Sequence, residues 1–179
     1  EKAGIAKRGV PLVTQKYPAQ IAGAVAQTAI PRGAKLMVRG EAWDAAPYEG
    51  ALAFRLLADA EAEPLKLPLP KLPGQHQQDN AALAVAMLRA QSQLAVPDSA
   101  LRSAMGWAQW PARLQRLAAG PLTAALPPGA ELWLDGGHNP AAGKALAAQL
   151  ATATPPLPAQ LVLGMLPSKD HSGFIRSFP

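Results

Sequence analysis

The residues best suited to chemistry in this sequence are Asp135, Gly136, Gly137, His138 and Asn139, which stand together in the stretch LDGGHNPAAG. An apolar run ends at Asp135, and an alanine-rich segment begins after Pro140. Pro140 stands where a helix can start, because the first turn tolerates a missing N–H. Asn139 is a natural cap beside it. Gly136 and Gly137 allow a tight turn and the close approach of a ligand. In open α/β sheets, ligands sit beyond the carboxyl ends of strands, and a helix N-terminus there attracts phosphate. Asp135 and His138 are thus placed for ligand contact. The alternative is an ordinary strand-to-helix loop with a capping asparagine.

Two further stretches carry polar groups at element boundaries. LPGQHQQDNAALA (72–84) sets His76, Asp79, Asn80 and several amides at the entry to an apolar helix. By itself it reads as a loop rich in capping groups. WPARLQ (110–115) places one arginine, Arg113, just after a helix, and by itself carries no assignment.

These side chains need a scaffold. VPLVT (10–14) reads as a short buried strand, PAQIAGAVAQTA (18–29) as a helix and AKLMVRG (34–40) as a strand. That order predicts an α/β unit with parallel pairing. Residues 41–73 carry prolines at 64, 68, 70 and 73, which fits edge strands or connectors rather than a central strand. The patterns predict helices over 79–94 and 97–110, the second capped by Asp98 or Ser99. After Pro111 come a strand at 130–135, a helix at 140–151, a proline-rich link at 154–158 and a buried strand at 159–166. These would form a second βαβ unit, with a domain boundary near Arg113.

Composition narrows the classes. Hydrophobic residues make up 49% of the 179 and charged residues 16%, enough for a packed core. Without cysteine there are no disulfides and no thiolate metal sites. No apolar run approaches the ~20 residues of a membrane span, and the charged start lacks the apolar region of a signal peptide. These features fit a cytoplasmic protein, read as a monomer. Glu1 rather than methionine comes first, and GFIRSFP closes no helix or strand, so both ends read as cuts. Residues 1–40 hold seven basic side chains and one acidic one, whereas 41–179 hold ten and eleven, so the net charge of +5 arises near the start. Such a face suits nucleotide phosphates or a polyanion, or is simply a solvated surface. Nucleic acid is disfavoured, because only Tyr17 interleaves these scattered cations.

Taken together, the segments resemble one family. EKAGIAKRGVPLVT resembles the EKAGI segment of folylpolyglutamate and dihydrofolate synthases. LPGQHQQDNAALAVA is similar to their HQ..N helix entry, WPARLQ to their PGR motif, LDGGHNPAA to their DGAHNP motif and GMLPSKD to a later DKD segment. The order and approximate spacing agree along nearly the whole chain. The wider group is the Mur ligase superfamily of ATP-dependent amide ligases.

The resemblance implies that L-glutamate is joined to folate or dihydropteroate at the expense of ATP, through an acyl phosphate. It implies α/β architecture. Residues 1–112 would be part of the P-loop-type central domain, and 113–179 part of a Rossmann-like C-terminal domain, with the active site between them. Lys2 matches the lysine of EKAGI, which in relatives is carbamylated and helps hold Mg2+. By composition alone it would be a surface lysine. Asn80 matches a nucleotide-contacting asparagine, and Arg113 the arginine of PGR, suited to phosphate. Asp135 matches an aspartate that accepts from nucleotide hydroxyls, and His138 would lie close to the nucleotide. His76 is the remaining candidate, with a structural role as its alternative.

The chain departs from the family pattern at Ala112 (glycine in PGR), Gly137 (alanine in DGAHNP) and Ser168 (aspartate in DKD). No G-x-x-x-x-G-K-[ST] phosphate loop occurs in these residues. By the resemblance it should precede Glu1, so the chain alone is expected neither to hydrolyse ATP nor to ligate glutamate. The competing readings are a ligase of peptidoglycan precursors, a Rossmann dinucleotide domain lacking its G-x-G-x-x-G, and a non-enzymatic interaction domain.

Overall fold

The computed structural model describes residues 2–59, 61–152 and 158–178. Pro11–Thr14 forms strand β1, Ala19–Ala29 helix α1 and Lys35–Val38 strand β2. The expected parallel pairing is present, with Pro11 beside Lys35 and Thr14 beside Val38. Alanine loses no side-chain entropy in a helix, which accounts for α1 despite Gly23. Ala29, Ala6 and Ala34 form a small core with Leu12 and Leu36 packed on it.

Residues 43–68 build a three-stranded antiparallel sheet from β3 (Trp43–Tyr48), β4 (Ala51–Leu56) and β5 (Leu65–Pro68), with β4 in the middle. Glu49 (φ 50°) and Gly50 (φ 74°) make the β3–β4 turn, both left-handed as a two-residue hairpin requires. Pro47 and Pro68 lie on the two outer strands, as expected of residues without an N–H. Alternate side chains share one face, and Trp43, Ala45, Leu52, Phe54 and Leu67 are buried there. Helix α2 (Gln75–Ala90) adds Ala82, Val85 and Ala86 to this core, and α3 (Asp98–Trp107) adds Leu101 and Met105.

Several boundaries differ from the sequence reading. α2 starts at Gln75 rather than 79 and ends at Ala90, because its polar residues occupy the first turns instead of a preceding loop. Pro97, in extended conformation, takes the cap position of α3. Asp98 instead lies in the first turn and pairs with Arg89.

Beyond Ala108 the elements are short. β6 (Gln115–Arg116) pairs antiparallel with β7 (Trp133–Leu134), and Pro121–Ala124 forms α4. α5 (Pro140–Leu150) has Asn139 as its cap, as expected. α6 (His171–Ile175), absent from the sequence reading, is capped by Asp170 and buries Phe174. α5 and α6 pack together at Gly143, where a Cβ would lie 2.8 Å from the Phe174 carbonyl oxygen. The expected strand at 159–166 is not formed, and with it the second βαβ unit. Its backbone has no ladder partner among the described residues, and Val162 is 94% exposed. An apolar run becomes a strand only when a neighbour takes its N–H and C=O groups. Most of the proline-rich link at 154–158 lies outside the described residues.

The chain divides into two compact units. One comprises Glu1–Lys71 and Gln77–Ala108, the other Leu72–His76 and Gln109–Pro179. No helix among the described residues is long and apolar enough to cross a membrane.

Candidate functional site

Three of the sequence candidates come together in the second unit. The loop between β7 and α5 runs from Asp135 to Asn139. Asn139 Oδ1 accepts the Ala142 N–H at 2.9 Å, which satisfies one of the unpaired donors at the start of α5. Asp135 is half-buried and accepts two backbone N–H bonds. Its Oδ1 takes Gly137 at 2.6 Å and its Oδ2 takes Leu114 at 2.7 Å. The Gly136 N–H donates to the Ala112 carbonyl at 2.9 Å, and Arg113 Nη1 donates to the same oxygen at 3.0 Å. His138 Nδ1 lies 2.9 Å from the Gly136 carbonyl. A carbonyl can only accept, so Nδ1 carries a proton there, on an exposed ring.

The Arg113 turn is unusual in its backbone. Ala112 (φ 55°) and Leu114 (φ 43°) both adopt the left-handed conformation, which costs a residue bearing a Cβ about 1–2 kcal/mol. Position 112 is where the resembled motif has glycine, and the geometry gives that glycine a reason. Ala112→Gly is therefore expected to stabilise the chain by about 0.5–1 kcal/mol, the relief of strain exceeding glycine's greater entropy loss. An unchanged or lower urea midpoint would show that the turn bears no strain at this residue.

Two other candidates belong to the first unit. Asn80 is the sixth residue of α2 and lies with Ala84 and Met87 on the exposed stripe of that helix. Its Nδ2 donates to Gln77 Oε1 at 3.2 Å. Lys2 begins a 3-10 turn, Lys2–Ile5, and is exposed. His76 is half-buried, and its ring covers Gly74, where a Cβ would lie 2.7 Å from Cε1. With φ at 102°, position 74 has a second reason to be glycine.

A polar network next to Asn80 escaped the sequence reading. Arg39, just past β2, donates through Nε to Asp44 Oδ1 at 3.0 Å. Its Nη1 reaches Asp79 Oδ1 at 2.8 Å and Gln15 Oε1 at 3.2 Å, and its Nη2 reaches the Ala45 carbonyl. Gln15 Nε2 in turn donates to the Asp79 carbonyl at 2.7 Å. One guanidinium thus joins β2, β3 and the first turns of α2. Burial acts to lower the pKa of Arg39, but the bonds and charges of Asp79 and Asp44 outweigh it and the net shift is upward. Burial acts to raise Asp44, but the bonds from Arg39 and the Ala45 N–H, with the charges of Arg39 and Arg55, hold it below its ordinary value. Among the described residues, no group of three or more His, Asp or Glu side chains comes together as a metal cage would.

The fold is a mixed α/β arrangement of two units, with a capped strand-to-helix loop beside an arginine turn. In particular, the chain is similar to dihydrofolate synthase/folylpolyglutamate synthase of Escherichia coli strain K12, with 32% identity over 173 residues, 97% of this chain and 36% of the relative. Among solved structures it is similar to the bifunctional folylpolyglutamate synthase/dihydrofolate synthase of Yersinia pestis CO92, with a TM-score of 0.75 and 30% identity over 99% of this chain and 38% of that one. A bifunctional enzyme of the same description, with Mn, AMPPNP and L-glutamate bound, gives a TM-score of 0.74 and 29% identity over 98% of this chain and 38% of that one. No protein-family model matches the chain. The chain spans about a third of the length of these relatives. The family resembled by the motifs is the family of these neighbours.

Proposed function

We propose that this chain contributes part of the ATP site of an ATP-dependent ligase that adds L-glutamate to folate or dihydropteroate. The substrate carboxylate would be phosphorylated by the γ-phosphate, and the glutamate amine would displace phosphate from the acyl phosphate. Such chemistry depends on positioning and on charge stabilisation around phosphates. The observation that supports it most is the Arg113–Asp135–His138 cluster at the start of α5. A guanidinium fork matches phosphate oxygens. His138 is exposed in the same loop. Asp135 gives each carboxylate oxygen to a backbone N–H, Leu114 and Gly137, and so holds the loop beside that arginine. Asn80, in the first unit, is a nucleotide contact by the resemblance of its motif alone. Residues 1–112 would derive from the central ATPase domain and 113–179 from the Rossmann-like domain.

Magnesium, which neutralises phosphate charge when bound, fits Lys2 in one way. The neutral amine form of an exposed lysine can add CO2 with release of one proton to give a carbamate, and Mg2+ needs only one or two carboxylate-like ligands besides phosphates and water. His76, packed over Gly74, is assigned a structural role.

Titration of ATP into the 15N-labelled chain should shift the amides of residues 136–139, 141 and 142 first. Arg113→Ala should weaken binding by about tenfold, the loss of one charged hydrogen bond. An unmoved loop, or an arginine variant that binds as well as the parent, would sink the reading. With ATP, dihydropteroate and L-glutamate together, these 179 residues should form no glutamate adduct. Measurable ligation would show that they need no separate phosphate loop.

A further inference from the structure

We propose that Asp135 is a positioning residue for Arg113, building the turn that aims the guanidinium. The proposal rests on the reading of Arg113 as a phosphate contact. The two carboxylate oxygens act separately. Oδ2 takes the Leu114 N–H at 2.7 Å, one residue past the arginine, and Oδ1 takes the Gly137 N–H at 2.6 Å, in the loop that leads to α5. One side chain therefore fastens two segments that are 21 residues apart.

What it fastens would not hold this shape unaided. Arg113 is flanked by two left-handed residues, Ala112 (φ 55°) and Leu114 (φ 43°), neither of them glycine. Such backbone persists only where surrounding contacts over-determine it. Here they do so on both sides of the arginine. The Ala112 carbonyl takes the Gly136 N–H and Arg113 Nη1, at 2.9 and 3.0 Å, and the Leu114 N–H is held by Asp135. Gly136 completes the arrangement, since a Cβ there would lie 3.1 Å from Arg113 Nη1. Without the carboxylate, residues 112–114 can relax to ordinary dihedrals, and the guanidinium leaves its place over Gly136. Asp135 thus acts on phosphate through Arg113. Its charge is spent on backbone donors, where a carboxylate makes its stronger bonds.

A double-mutant cycle on ATP affinity, by NMR titration of the 179-residue chain, tests this. Asp135→Ala and Arg113→Ala should each weaken binding by about tenfold, the size of one charged hydrogen bond, and the double variant should bind no more weakly than either. Asp135→Asn keeps one acceptor oxygen and should lose less. Losses that multiply in the double variant, or wild-type affinity in Asp135→Ala, would overturn the proposal. Hydrogen exchange without nucleotide supplies an independent arm. The Leu114 and Gly137 amides should exchange at least about tenfold faster in Asp135→Ala, with the interior of α5 still protected as a check on folding. Unchanged protection at both amides would overturn the lock itself. If Arg113→Ala binds ATP normally, the phosphate reading of Arg113 fails, while the exchange arm still decides whether Asp135 holds the turn.

Discussion

Replacing Trp43 with alanine is expected to cost about 3–5 kcal/mol, the range for removing a large aromatic from a packed core. Trp43 is wholly buried and stacks on Phe54 with ring centroids 6.1 Å apart. Its indole N–H donates to the Met37 carbonyl at 3.2 Å, which ties β3 to β2. Phe54, Leu52 and Leu67 surround it with fully committed neighbours, so little can move in to fill the cavity. A loss of this size is a large share of the stability of an ordinary domain, about 5–15 kcal/mol. Urea denaturation followed by far-ultraviolet circular dichroism measures it. Trp43→Phe, which keeps an aromatic but gives up the Met37 bond, should fall well short of that loss. Equal midpoints for the alanine variant and the parent would mean that this sheet is not the core of its unit.

Arg39→Met is expected to cost about 2 kcal/mol. Four acceptors lose their donor, but Asp44 and Asp79 are half exposed and water can replace part of what is lost. Arg39→Lys keeps the charge without the fork and should recover only part of the stability. Exchange of the second-turn amides of α2, including Asn80, should quicken in both variants. The network also has a pH signature. Asp44 is held below its ordinary 3.8 in the folded chain, so folding is favoured by its ionised form. That contribution is present above the unfolded pKa and is lost as pH falls through the lower, folded one. Stability should therefore drop below about pH 4 more steeply in the parent than in Arg39→Met. Parallel acid profiles for the two would show that Arg39 does not hold Asp44 ionised.

Legibility tracked the range of the interactions involved. β1, α1 and β2 could be read because apolar runs and the flanking Pro and Gly act within a few residues. The start of α5 could be read for the same reason, since Asn139 and Pro140 cap it locally. The β3–β4 hairpin was hidden because its turn uses glutamate where Asn or Asp before glycine would be the usual signal. Residues 159–166 misled because an apolar run does not reveal whether a partner strand is present. The Arg39 network joins residues 40 and 64 positions apart in the cases of Arg39 with Asp79 and Gln15 with Asp79. No local pattern announces it. At the candidate site, residue types pointed to Asp135, Arg113 and His138, whereas the geometry added that the aspartate's oxygens already serve backbone donors.

The prolines of the three-stranded sheet carry a consequence for encounters between chains. An exposed outer strand is a template on which a foreign strand can grow. In this sheet, Pro47 marks one border and Pro68 the other. At each of them an incoming strand finds a pyrrolidine ring in place of a donor, so the ladder cannot propagate evenly past it. Each border of the sheet therefore carries a residue that gives a foreign strand no donor.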